Sequence, residues 1–262
     1  MILDKATQNK LREIHNPDGS KLREMQLKMK EVLDVVHMVC EKNDIPYWLS
    51  SGTLLGAVRH GGFIPWDDDV DIDMLWSDIP RFIKACEKDL PDGYIVQTHK
   101  TDRHYYLNHI KVRDLNSSMS ELTASNYKYQ GLFVDIIPIE PSFLTLNRLS
   151  RYPKGLVEKA VLKNMPKFIQ EGCYLFKQGI YLMFRFISYF KRNKNECYPT
   201  YGTLFLNKRD LTDILPTSMV EFEGTSYCAP KDCDAYLSKM FGNYANLPES
   251  RLRRPQHDTS VL

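Results

Sequence analysis

Five carboxylates fall within seven residues in the run Trp66-Asp67-Asp68-Asp69-Val70-Asp71-Ile72-Asp73. Like charges this close repel one another and lower stability unless a cation or a basic group balances them. On a strand, side chains two apart project from the same face. Asp69 and Asp71 can therefore converge on one divalent ion, with Asp67 or Asp73 near the same rim. Donors that are all oxygen favour Mg²⁺, Mn²⁺ or Ca²⁺ over zinc. A solvated acidic turn is the plain alternative, but Ile64, Trp66, Val70, Ile72, Met74 and Leu75 would bury the segment, and buried carboxylates need partners. An EF-hand is excluded, because the glycine its loop requires would fall at Ile72.

Upstream, Ser51-Gly52-Thr53 sits between an expected strand and a helix start. Free backbone N–H groups and the close approach a glycine allows suit a phosphate there, although the same residues can simply cap a helix. A Gly-Thr helix start followed by a strand-borne Asp-x-Asp is the layout of the nucleotidyltransferase fold. A third carboxylate in that layout comes from a later strand, and Asp135, within Leu132-Phe133-Val134-Asp135-Ile136-Ile137, is the natural candidate. Such a trio suits two-metal phosphoryl transfer, in which one ion activates the attacking hydroxyl and the other steadies the leaving oxygen.

The elements that must hold these residues are legible in the hydrophobic spacing. Leu22, Met25, Met29, Leu33, Val36 and Cys40 recur at three- and four-residue intervals and predict a helix over 21–43, with Ser20 as its cap. Residues 45–49 read as a short buried strand, 54–58 as a helical turn and 70–75, alternating apolar and acidic, as a strand. A helix from 77 or 78 to 90 ends at Pro91-Asp92-Gly93. Further strands are expected over 94–98, 109–113 and 132–137. Interleaved strands and helices predict an α/β (α+β) domain, a nucleotidyltransferase-like mixed sheet flanked by helices, with a helical appendage. Residues 144–194 read as helical, interrupted at Pro153 and Pro166. A hairpin over 219–228, a helix over 232–241 and a polar, fraying tail from Arg251 follow. The organisation expected is one domain over 1–262, with its core at 21–141, a helical insertion at 142–198 and a C-terminal part at 199–250 completing it.

Composition bounds the function. With 43% hydrophobic and 11% aromatic residues, the chain is not disordered, and a formal net charge of +2 argues against a nucleic-acid partner. Residues 144–194 hold eleven Lys or Arg against two acids, a local +9, so the remainder carries −7. The first ten residues contain no apolar run and the six cysteines include no Cys-x-x-Cys pair. Both features predict a reduced, cytoplasmic chain without a zinc site, and the basic segment allows a peripheral position at the inner face of the membrane.

The residues 47–60, Tyr-Trp-Leu-Ser-Ser-Gly-Thr-Leu-Leu-Gly-Ala-Val-Arg-His, followed by Phe63-Ile64-Pro65-Trp66-Asp67-Asp68-Asp69-Val70-Asp71-Ile72, resemble the hallmark of the LicD family, which includes fukutin and fukutin-related protein. The likeness continues through Ile110-Lys111-Val112-Arg113-Asp114, Phe133–Pro138 as Phe-Val-Asp-Ile-Ile-Pro, and Phe241-Gly242-Asn243-Tyr244-Ala245-Asn246-Leu247-Pro248. The resemblance implies transfer of a phospho-alcohol, phosphocholine from CDP-choline or ribitol phosphate from CDP-ribitol, onto a hydroxyl of a cell-surface glycan or its lipid-linked precursor, with Mg²⁺ or Mn²⁺. It makes Asp69 and Asp71 metal ligands with Asp67 beside them, and Asp135 the third carboxylate and candidate base. The last block reads Gly-Asn-Tyr where the family often has Gly-Asp-Tyr, so an acidic role does not carry over to Asn243.

A diphosphate donor needs cations. Gly52 and Thr53, Arg59 and His60, and Lys111 and Arg113 are the candidates, ion pairing with the acidic strand being the alternative for the basic ones. A quaternary ammonium suits an aromatic cage; Trp48, Trp66, Tyr105, Tyr106 and Tyr127 are available, though core packing is the commoner fate of such side chains. In the basic segment, the combination of charge and aromatic residues allows either a packed helical subdomain or an interfacial helix pair on anionic lipid. Two other functions fit the acidic motif: nucleotide transfer with release of pyrophosphate, and a non-catalytic metal- or glycan-binding module.

Overall fold

A helix that hydrophobic spacing does not announce comes first. In a computed structural model that describes residues 3–119 and 126–255, α1 spans Lys5–His15 and the Asp4 carboxylate accepts from the Thr7 amide as its cap. It buries Gln8 and Leu11, too sparse a pattern to give a period. α2, Lys21–Lys42, follows with Ser20 as its cap. Met29, Val32, Leu33, Val36 and Val39 on α2 are fully enclosed, so cutting Leu33 to Ala costs about 2–5 kcal/mol.

The core then alternates as the sequence predicts. It runs β1 (Tyr47–Leu49), α3 (Ser51–His60), β2 (Asp71–Leu75), α4 (Ile79–Asp89), β3 (Tyr94–Gln97), β4 (Ile110–Asp114) and β5 (Phe133–Pro141). Three helices come next: α5 (Leu144–Leu149), α6 (Arg151–Leu162) and α7 (Lys167–Tyr189). The chain returns through β6 (Glu196–Pro199), β7 (Arg209–Asp210) and α8 (Leu211–Ile214), then the hairpin β8 (Ser218–Phe222) and β9 (Thr225–Ala229), and α9 (Cys233–Phe241).

Among the described residues the main sheet has seven strands in the order β1-β2-β5-β4-β3, with β6 on the far end of β5 and β7 on β6. β2 and β5 are parallel, from Asp71↔Asp135 to Leu75↔Ile139. The other pairings are antiparallel. This is the mixed sheet flanked by helices that the element order implies. α2 packs on β4, β5 and α4, while α3 packs on β2, β8 and α9.

Three local expectations change. α3 begins at Ser51 rather than Leu54. Pro153 does not interrupt a helix: it is the third residue of α6, where the first-turn N–H groups have no intrahelical partner in any case, and the break falls at Ser150. Residues 251–255 lie against the body, Ser250–Leu252 forming a 3-10 turn and the Arg253 guanidinium lying 5.7 Å from the Trp66 ring centre; the rest of the expected fraying tail lies outside the described residues. All six cysteines are free, and burial pushes the thiols of Cys86 and Cys197 up to about 12.

Candidate active site

Ser51 turns the chain from β1 into α3 at φ 47°, a left-handed conformation rarely taken by a residue with a side chain. Hydrogen bonds fix this turn to the first residue of β2 from both sides. The Ser50 amide donates to the Asp71 carbonyl at 3.1 Å, and the Asp71 amide donates to Thr53 Oγ1 at 2.9 Å. From the neighbouring strand, the Asp135 amide donates to the Val70 carbonyl at 2.8 Å. The backbone of Asp71 is thereby set before its carboxylate does anything.

The loop before β2 is held as firmly. Gln26 of α2 donates to the Asp67 carbonyl at 2.8 Å. Glu223, in the β8–β9 turn, accepts from the Phe63 amide at 3.0 Å and from Arg23 at 2.6 Å. Two glycines make the approach possible. A Cβ on Gly56 would stand 2.5 Å from the Gly62 carbonyl oxygen, and one on Gly52 would stand 2.7 Å from Asp67 Oδ2.

These elements form one side of a cleft of about 1030 Å³, to which Gly52, Arg59, Asp67, Asp69 and Asp71 contribute. The opposite side comes from the C-terminal part, with Phe205, Arg209, Phe241, Tyr244 and Arg254 among its residues. Burial raises the Asp71 carboxyl well above the usual carboxylate range, and Asp69 and then Asp135 raise it further. Asp67 is raised by burial, then by Asp69 and Asp68. Asp135 is flanked by Lys111 Nζ at 3.2 Å and His109 Nε2 at 3.6 Å, yet its Oδ1 is buried and accepts no hydrogen bond.

Asp73, two residues beyond Asp71, is built differently. Its Oδ2 accepts from Arg209 Nε at 2.8 Å and from the Tyr236 hydroxyl at 2.9 Å, and Tyr236 also meets Ser50 Oγ at 2.8 Å. Burial opposes the charge on Arg209, but Tyr236 and Asp73 outweigh it and hold its pKa above the ordinary arginine value. Asp73 is thus taken up by structural partners and Asp68 is enclosed, while Asp67, Asp69 and Asp71 face the cleft.

The sequence candidates divide along the same line. Gly52, Arg59, Asp67, Asp69 and Asp71 line the cleft, and Asp135 lies beside Asp71. Thr53 serves the Asp71 amide. His60 is buried between Gln8 Oε1 and Arg59 Nε, each at 2.9 Å, and burial followed by the Arg59 charge pushes it down to about 3. Lys111 pairs with Asp135 against the Phe133 ring. Arg113 is enclosed between Gln97 and the Gly131 carbonyl, away from the cleft lining. Arg59 also donates to the Tyr244 and Asn246 carbonyls at 2.9 and 3.1 Å, tying the end wall to α3, and burial lowers it to about 10. Of the aromatic candidates Trp66 lines the cleft, whereas Trp48 and Tyr105 are buried in the interior.

Sequence reasoning passed over Arg209, Tyr236 and Ser50. Arg209 stands alone on a two-residue strand, so nothing local marks it. The end wall carried a signal in the block Phe241–Pro248, noticed for its likeness alone.

Among the described residues no three His, Cys, Asp or Glu side chains already converge as a ligand cage. The donor chemistry nevertheless fits a hard divalent cation. The cleft-lining acids offer only oxygen, they are half-buried, and their mutual repulsion is what a positive ion would relieve.

Comparison with known proteins agrees with this construction. Residues 44–167 match LicD/FKTN/FKRP, nucleotidyltransferase domain. The chain is 26% identical over 268 residues to Lipopolysaccharide cholinephosphotransferase LicD of Haemophilus influenzae, covering 90% of this chain and 96% of that protein. It is 36% identical over 107 residues to an uncharacterised protein of Rickettsia prowazekii, covering 34% of this chain and 40% of that one. Over 51 residues it is 45% identical to human Ribitol 5-phosphate transferase FKRP, 20% of this chain and 10% of the relative. Residues 44–167 are thus similar to the LicD/FKTN/FKRP nucleotidyltransferase domain, and the chain as a whole resembles a LicD protein over 90% of its length.

Proposed function

We propose that this protein is a metal-dependent phosphotransferase that moves a phospho-alcohol, phosphocholine first among the candidates, from a CDP-alcohol onto a hydroxyl of a cell-surface glycan such as lipopolysaccharide. The observation that carries the reading is Asp71, half-buried in repulsion with Asp69 and Asp135 on the wall of a cleft of about 1030 Å³. That volume suits a nucleotide-sized ligand. Likeness over 90% of the chain to a lipopolysaccharide cholinephosphotransferase supports the choice of alcohol and acceptor.

Asp69 and Asp71, with Asp67, would hold Mg²⁺ or Mn²⁺, which when bound neutralises charge on the transferring phosphoryl group and lowers the pKa of a coordinated hydroxyl. The start of α3 at Ser51 and Gly52 presents first-turn N–H groups toward the donor's diphosphate, and Arg59 adds a fixed positive charge. The acceptor hydroxyl oxygen bonds to the phosphorus of the phospho-alcohol as the bond from that phosphorus to the bridging oxygen of CMP breaks. Asp135 takes the hydroxyl proton, and Lys111 keeps its carboxylate in place before transfer. Trp66, Phe205, Phe241 and Tyr244 offer ring faces to a quaternary ammonium.

The domain's own description favours one second reading, nucleotide transfer with pyrophosphate release. A thermal-shift screen of CDP-choline, CDP-ribitol, CDP-glycerol and CTP, with and without Mg²⁺, tests the proposal. A rise with one CDP-alcohol and Mg²⁺ that exceeds the rise with CTP supports it; stabilisation by CTP alone favours the second reading.

A further inference from the structure

Helix α7 carries its apolar face outward. The residues that it buries are Lys177, Tyr181, Phe184 and Ser188. On the same side Arg185 pairs with Glu140 at 2.7 Å, and Lys177 donates to the Tyr106 carbonyl at 2.6 Å. The solvent-facing stripe is Phe168, Leu175, Leu182, Phe186 and Phe190, which are 64–75% exposed. Intervals of seven and four residues place these five on one face. A soluble helix buries such a stripe, so the reverse arrangement marks a surface that meets something less polar than water.

The neighbouring helix enlarges the patch. Tyr152, Leu156 and Leu162 of α6 are exposed. A groove of about 390 Å³ between α6 and α7 is lined by Leu156, Phe176 and Ile180, with Arg151 and Lys159 among its walls. The charge that accompanies it is positive. Of the eleven basic residues in 144–194, Lys177 and Lys191 are buried and Arg185 is paired, while Arg148, Lys159, Lys163 and Arg192 are exposed. No described helix is long and apolar enough to cross a membrane.

We propose that the α6–α7 face docks on an anionic lipid surface. The Phe and Leu stripe enters the headgroup boundary and the surrounding Lys and Arg meet lipid phosphates. A second copy of the chain is the weaker occupant, because it would bring two +9 segments face to face. The patch also reaches the cleft. Arg151 donates to the Leu204 carbonyl at 3.1 Å, and Leu204 and Phe205 are exposed, with Phe205 part of the cleft lining. Docking would therefore open the cleft toward a lipid-borne acceptor, a consequence that rests on the transferase reading, whereas docking itself does not.

Co-sedimentation of the full chain, without any donor, tests this with vesicles of phosphatidylcholine alone and vesicles containing about one-third phosphatidylglycerol. The expected partition is at least ~10-fold stronger with the anionic vesicles and weaker at physiological than at low salt. The double variant Leu182→Ser/Phe186→Ser alters two exposed side chains, so it should melt like the parent yet lose at least ~10-fold in partition. Equal partition to both vesicle types overturns the proposal. So does a double variant that binds anionic vesicles as well as the parent, or a dimer that this variant dissociates. Because no turnover is read, failure here leaves the transferase reading intact, and failure of the donor screen leaves docking intact.

Discussion

Asp71 and Asp135 stand opposite each other on the parallel pair β2 and β5, and the Asp135 charge helps to raise the Asp71 carboxyl. Two acids brought together by strand register, rather than by loop contacts, cannot move apart without slipping the sheet. Their repulsion is built into the fold, and Lys111, 3.2 Å from Asp135, offsets it from one side only.

Replacing Asp71 by Asn removes one of the repelling charges and keeps the side-chain shape. The variant should melt at or above the parent's temperature. Its transfer rate should fall by ~10³-fold, since the lost charge stabilisation is worth several kcal/mol. Melting curves and initial rates at matched concentration decide it; near-normal turnover removes Asp71 from the site.

Asp73→Asn should do the opposite, although it lies only two residues away. Arg209 would be left buried without its anion, a loss of about 3–5 kcal/mol. Denaturant titration should show a clearly lower midpoint than for Asp71→Asn. Equal midpoints would contradict the division of the acidic run into structural and cleft-facing members.

Gly52→Ala places a methyl 2.7 Å from Asp67 Oδ2. That carboxylate is half-buried on the cleft wall, so it must shift to admit the methyl. The expected result is a modest loss of stability, about 1 kcal/mol, with a larger loss of donor affinity read by thermal shift. Unchanged donor affinity would separate Gly52 from the phosphate site.

His60 supplies a pH signature. Its pKa falls from 6.5 to about 3 on folding, because burial and then Arg59 disfavour the imidazolium. The folded state therefore binds fewer protons, and stability from this group is present above pH 6.5 and lost as pH falls from 6.5 toward 3. His60→Gln keeps a donor and an acceptor but cannot titrate. The parent should lose more stability than the variant between neutral pH and pH 5, measured by thermal melts at matched ionic strength; identical pH profiles would contradict the assignment.

The acidic run, the Gly-Thr turn and the carboxylate of the later strand were all legible, because each sits in a local pattern whose period or chemistry is unusual. The far wall of the cleft was not. Arg209 and Tyr236 reach Asp73 across 136 and 163 residues, and no local spacing encodes a partner that distant. Likewise the sequence places Arg113 and Lys111 on one strand face, but only the packed sheet shows Arg113 consumed by Gln97 and Gly131. α7 is the sharpest case. Its amphipathic period is plain, yet the direction of its apolar face depends on Lys177, Arg185 and Ser188 finding polar partners on the body.

Mass analysis of the reaction products tests the central claim most directly. With CDP-choline, Mg²⁺ and an acceptor glycan, the parent chain should release CMP and add one phosphocholine to the glycan, while Asp71→Asn should do neither. Release of pyrophosphate from a nucleoside triphosphate, or no consumption of any CDP-alcohol by the folded parent, would contradict it.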